Sequence, residues 1–182
     1  MANEYLIKKW RLWFKALDRK NAGQLTRADQ RRDVDAYIKL TGLEGESRTD
    51  AITSINSYWD EFVFHGKSGP VTEEQFIEMN KDRFRAGKDT FMDVYRKAMI
   101  ADVKMIDQGG KGYITEEEFT CTNKSMGLEN EAWNKMYYNA FNPKNGKVPN
   151  VVISDAWVDF YFNEDSSTRD VVLDVFEKYP DL

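Results

Sequence analysis

Apolar residues recur at every third or fourth position along most of the chain, the spacing of a single helix face. Leu6, Trp10, Trp13, Phe14 and Leu17 predict a first helix, and Ile52, Ile55, Trp59, Phe62 and Val63 mark a stripe in "AITSINSYWDEFVF". Phe91, Val94, Tyr95, Ala98, Ile100, Met105 and Ile106 outline a long helix. Trp133, Met136, Tyr137, Ala140 and Phe141 outline another, and Val171, Val172, Val175 and Phe176 a closing one. Period-two alternation is nearly absent, so the expected class is all-α. Glycines fall mainly between the stripes, where helix ends and tight turns use them.

These glycines share a register. In "DQGGKGYITEEEF" Asp107 is first, Gly112 sixth, Ile114 eighth and Glu118 twelfth. The same frame fits 18–29, with Asp18, Gly23, Leu25 and Asp29 in those places. It also fits 64–75, with Gly69 sixth, Val71 eighth and Gln75 twelfth. Each of the three has threonine ninth. This is the frame of the EF-hand, a helix–loop–helix whose sixth glycine makes a sharp bend and whose twelfth acid completes a calcium site. A distorted fourth copy spans 142–157: with Ile153 in the eighth place, about four residues are in excess of the frame. The expectation is four units in two pairs, residues 1–86 and 87–182, joined by short β-bridges between Leu25 and Val71 and between Ile114 and Ile153.

Calcium asks for six to eight oxygens, and affinity follows the count of carboxylates. The first loop places Lys20 third and Ala22 fifth, and its twelfth acid is the short Asp29. The second has Phe64, Gly66, Ser68 and Gln75 at the first, third, fifth and twelfth positions, so none of these is a carboxylate. The fourth, so framed, puts Trp157 where the acid belongs. In the third, Gly109 and Lys111 stand between Asp107 and Glu118. A lysine this near a divalent ion is repelled by up to ~8 kcal/mol, twice the unit-charge value at a dielectric of 20. The only candidate site is therefore a weak one made by Asp107, the Tyr113 carbonyl and Glu118. Gly109→Asp with Lys111→Asp would repair it on paper.

The opening "YLIKKWRLWFKALDRKNAGQLTRAD", the stretch "SINSYWDEFVF" and "ISDAWVDFYFNEDSS" resemble the invertebrate sarcoplasmic calcium-binding proteins, most closely the molluscan ones. The likeness runs over essentially the whole chain. It implies two packed EF-hand pairs in a compact cytosolic protein that buffers calcium and magnesium. Related folds include luciferin-binding proteins and photoproteins, which hold an imidazopyrazinone in a central cavity. The lost carboxylates oppose the buffering that the resemblance implies.

Composition narrows the partners. The 182 residues carry a net charge of −5 with both signs intermixed, so nothing marks a nucleic-acid or membrane surface. The N-terminus lacks the pattern of a signal peptide, and the single Cys121 excludes an internal disulfide; a cytoplasmic monomer is expected. Aromatic residues make up 14% of the chain, enough either to fill the core or to line a cavity for a flat hydrophobic ligand. Core is the expected use, and a carrier of such a ligand is the alternative function. The seven methionines are scattered rather than gathered on an open face, against a target-binding groove. His65, the only histidine, is expected to be solvated, and Cys121 half-buried. Thr72 with Gln75 and Thr115 with Glu118 have capping-box spacing, so the acidic runs belong to helix first turns and no catalytic pair emerges.

Overall fold

The computed structural model describes residues 1–180. Among them lie eight α-helices and four two-residue strands. Helix α1 (Glu4–Leu17) runs into the first loop and strand β1 (Gln24–Leu25), followed by α2 (Arg27–Thr41) and α3 (Gly45–Tyr58). Strand β2 (Val71–Thr72) leads into α4 (Glu73–Ile106), which kinks at Gly87, where the backbone is extended (φ 170°). Then come β3 (Tyr113–Ile114), α5 (Glu116–Ser125), α6 (Glu131–Ala140), β4 (Val148–Pro149), α7 (Asn150–Phe162) and α8 (Val171–Phe176). The fold is all-α, as the periodicity requires.

The ninth-position threonines start helices. Thr26, Thr72 and Thr115 each cap a helix and close a capping box with Asp29, Gln75 and Glu118, satisfying amides that the first helical turn leaves free. Strand β1 pairs antiparallel with β2, Leu25 opposite Val71 as the frame requires. Strand β3 pairs with β4, but Ile114 lies opposite Val148 and not Ile153. With Val148 eighth, the fourth loop runs from Phe141 to Val152 and needs no insertion. Its bend is an Asn145–Gly146 turn with φ of 52° and 69°, closed by amide–carbonyl bonds between Lys144 and Lys147. Two successive residues with positive φ suit a tight antiparallel reversal, and Asn-Gly is the pair that accepts it most readily. Ile153 is instead a buried residue of α7.

The second loop departs further from the frame. Before it, α3 widens into one π turn, Trp59–Val63, and the Gly66 amide reaches back to the Asp60 carbonyl at 3.0 Å. The positive φ values fall at His65 and Gly66 rather than at Gly69. His65 is not solvated: neither ring nitrogen has a hydrogen-bond partner, and burial, helped by Arg83 and Lys67, pushes its pKa down to about 4.

Aromatic side chains knit α1, α4 and α7 together. Tyr95 stacks on Tyr161 at 4.3 Å, Phe91 meets Phe162 edge-on at 5.0 Å, and the Trp10 indole donates to the Tyr161 carbonyl. The chain end is tied back by a buried ion pair: Lys9 Nζ lies 3.0 Å from Asp170, whose other oxygen caps α8. Lys9 also donates to the Asn163 carbonyl at 2.8 Å. A buried charge left alone is expensive, so Asp170→Ala should lower the unfolding free energy by about 3–5 kcal/mol. Lys8→Ala, which removes the exposed pair with Glu177, should lower it by less than ~1 kcal/mol. Denaturant titration of both variants checks the contrast, and equal small losses would show that the Lys9–Asp170 pair does not hold the C-terminal turn.

Candidate functional site

The third loop places its charged residues around Lys111. Lys111 Nζ lies 2.5 Å from Glu118 Oε1 and 3.0 Å from Asp107 Oδ1, and donates to the Gln108 carbonyl at 2.7 Å. The lysine that composition suggested would repel calcium thus points inward and binds the two carboxylates that calcium would use. Asp107 is saturated from other sides too. It accepts from the Lys111 and Gly112 amides at 2.9 and 2.7 Å and from the Asn150 side chain at 2.9 Å. Burial works against its ionisation, but these bonds outweigh it and hold its pKa at about 2. Glu118 Oε2 is taken by Thr115 through its amide and hydroxyl. Tyr113 stands in β3, with the Lys147 and Lys111 ammonium groups over its ring at 4.4 and 5.5 Å.

The first loop repeats this on a smaller scale. Asp18 accepts from the Ala22 and Gly23 amides, and Lys20 Nζ lies 3.4 Å from Asp29, which also holds Arg32. Among the described residues, no three His, Cys, Asp or Glu side chains converge as a metal site would need. The oxygens at the third loop do not fit a calcium ion without expulsion of Lys111. The on-paper repair also meets the backbone: Gly109 has φ 95°, a conformation that strains any L residue.

A second feature lies inside the molecule. A cavity of about 130 Å³ opens between α1–α4, α5 and α7, with Trp13, Tyr37, Tyr58, Tyr95, Asp102 and Trp157 in its wall. Trp157, expected in a metal loop, packs edge-on against Trp13 at 4.8 Å instead. The Tyr58 hydroxyl accepts from the Trp13 indole at 2.9 Å, whereas the buried Tyr95 hydroxyl, near that of Tyr58, makes no well-formed hydrogen bond among the described residues. Asp102 accepts one bond, from Ser54 Oγ at 2.7 Å; burial pushes its pKa up to about 7 despite that bond. Sequence reasoning singled out neither Asp102 nor Lys111 as a site residue. The signal for Asp102 is an acid in an apolar stripe, between Met99 and Val103. For Lys111 it is a cation in the fifth place of a loop that keeps both end carboxylates.

No protein-family model matches the chain. A sarcoplasmic calcium-binding protein of Mizuhopecten yessoensis is 26% identical over 175 residues, which is 96% of this chain and 99% of that protein. The chain is thus similar to a sarcoplasmic calcium-binding protein over nearly its whole length. Its loops keep the EF-hand frame, and most of the ligand positions in that frame hold no carboxylate. The fold also matches the coelenterazine-binding protein of Renilla muelleri in its calcium-loaded apo form (TM-score 0.72, 17% identity, 98% of this chain and 96% of that one). It matches the Ca²⁺-regulated photoprotein mitrocomin of Mitrocoma cellularia as well (TM-score 0.74, 15% identity, 96% and 91%). Among the described residues no helix is long and apolar enough to cross a membrane.

With Lys111 on the third-loop carboxylates, a chelator should change little. The melting temperature should differ by no more than about 3 °C between millimolar calcium and chelator, under ~1 kcal/mol for a domain of this size. Acid should act through Asp107. A carboxyl with a depressed folded-state pKa contributes stability above its unfolded value, near 4, and loses it as pH falls toward 2. In Asp107→Asn the part of the acid-induced loss between pH 4 and pH 2 that Asp107 supplies should vanish, as melting curves at stepped pH would show.

Proposed function

We propose that this chain is an EF-hand protein whose third loop is latched by its own lysine, so that calcium is not needed for folding and is bound weakly if at all. The observation that carries this reading is the Lys111 ammonium between Asp107 and Glu118. To bind there, calcium would have to break charge-assisted bonds of about 1.5–3 kcal/mol each. It would regain too few oxygens, because the third and fifth places offer no carboxylate. Asp107, the Tyr113 carbonyl and Glu118 remain the set that a weak ion would use.

Lys111→Asp removes the latch and adds an oxygen ligand. It should bind calcium at least tenfold more tightly than the parent, ~1.4 kcal/mol. Its metal-free form should melt lower, because three carboxylates then face each other. Adding Gly109→Asp should help little, given the φ of that position. Calorimetric titration decides: an affinity unchanged by Lys111→Asp would mean that the lysine is not what keeps calcium out.

The cavity favours a second reading, carriage of a small aromatic molecule. A cavity of ~150 Å³ accepts benzene; this one is of similar size, partly open, and sets Asp33, Asp102 and Asn123 beside Trp13, Tyr58 and Trp157. The relative from Renilla is named for coelenterazine, a ligand of several rings. That molecule is too large for about 130 Å³. A one-ring probe such as 2-phenylethanol should quench tryptophan fluorescence saturably, and coelenterazine should not compete with it. Failure of every one-ring probe to bind would remove the carrier reading and leave the lysine latch standing.

A further inference from the structure

Two adjoining hollows share a wall. The inner one is the aromatic cavity just described. The outer one is a groove between α3, the π turn and α4, lined in part by Asp50, Ser54, Asp60, Glu61 and Val94. Tyr58 and Asp102 line both. Neither lining contains a lysine, arginine or histidine, while acids are present in each. Most of these acids already have a cation. Asp33 pairs with Arg32, Asp60 with Arg27 and Glu61 with Arg83. Asp102 has none among the described residues and holds only the Ser54 hydroxyl. Beside it, the Tyr95 hydroxyl is buried and makes no well-formed hydrogen bond among the described residues.

Such a site is incomplete in a particular sense. Asp102 is half-buried, and a carboxylate partly withdrawn from water gains from a cation or from further donors beyond its one hydroxyl. The surrounding tyrosine and tryptophan faces attract a cation as well. A neutral ring would fill the apolar volume but leave Asp102 and the Tyr95 hydroxyl as they are. An anion would meet acids on both sides of the wall.

We propose that the inner cavity binds a small primary aromatic amine as its ammonium ion, the ring against Trp13 and Trp157 and the ammonium on Asp102 where the two hollows meet. This proposal rests on the carrier reading and adds the charge of the ligand to it. The raised pKa of Asp102 agrees with it, since an arriving ammonium would restore the ionised carboxylate.

The test pairs two molecules of nearly equal shape, 2-phenylethylamine and 2-phenylethanol, titrated against the full chain with fluorescence and calorimetry. At pH 8 the amine should bind at least tenfold more tightly than the alcohol. As pH falls from 8 to 5 the amine's affinity should decline while the alcohol's stays flat. Sharing the two hollows with Asp102 are the hydroxyls of Tyr37, Tyr58 and Tyr95, which do not ionise in that range, the acids Asp50, Asp60 and Glu61, and Asp33, whose burial raises its pKa to about 6, so the decline belongs to Asp102 only if Asp102→Asn abolishes it. In Asp102→Asn, which can keep the Ser54 bond, the two probes should bind within about twofold of each other. Equal binding of amine and alcohol by the parent overturns the cation proposal and leaves the carrier reading intact. Binding by neither overturns both. The preference of the parent for the amine over the alcohol at pH 8 keeps the test decisive should the Asn variant fold poorly.

Discussion

An EF-hand loop curls its oxygens round a positive charge, and in the third loop of this chain that charge is the Lys111 ammonium. Without some cation, Asp107 and Glu118 would repel each other across the bend. With the lysine in place they are drawn together, Asp107 gathers the loop amides, and Glu118 is held where it also closes the capping box of α5. Asn150, the first residue of α7, donates to the same Asp107. One side chain therefore fixes the loop, the start of the helix after it and the start of the helix in the partner hand. The lysine is tethered to the chain and needs no supply from solution, as a metal ion would.

The interior is consistent with a fixed joint. Calcium sensors open to expose an apolar groove, and that motion needs helices that can part. Here α1, α4 and α7 are bound by stacked and edge-on aromatics, and the last turn is anchored through Lys9 and Asp170. The same aromatics do not fill space completely where the helices converge, and the residual cavity retains Asp102 and an unsatisfied tyrosine hydroxyl. Helices fixed by such packing keep the hollow preformed, and preformation lowers the ordering cost of binding a small molecule.

Much of this was legible in the chain because EF-hand geometry is written in few residues. The glycine register located three loops, and Leu25 opposite Val71 followed from counting alone. The fourth loop was misframed because five apolar or ring residues crowd Val148 to Ile153, and any of several could be taken as the eighth. The Asn145–Gly146 turn was the better landmark, since positive φ, unlike hydrophobicity, is something few residue types accept. His65 escaped because the π turn before it shifts the backbone register, which no local pattern announces. Lys111 was read as a repulsive charge. Its sign was plain, but whether a flexible stem turns outward or inward depends on the oxygens that the folded loop collects. Asp102 was not singled out in the chain; the packing of α3 beside α4 is what brings Ser54 to it.

The central claim is that Lys111 is an ordered internal cation in the place of a metal. The most direct measurement is the NMR spectrum of the lysine side-chain ammonium groups, with Lys111 assigned by substitution. An ammonium held by two carboxylates and a carbonyl should exchange slowly and appear as a distinct, protected signal, unchanged when millimolar calcium is added. An Nζ signal for Lys111 averaged with those of the solvated lysines, or one that is lost as calcium is titrated in, would contradict the account.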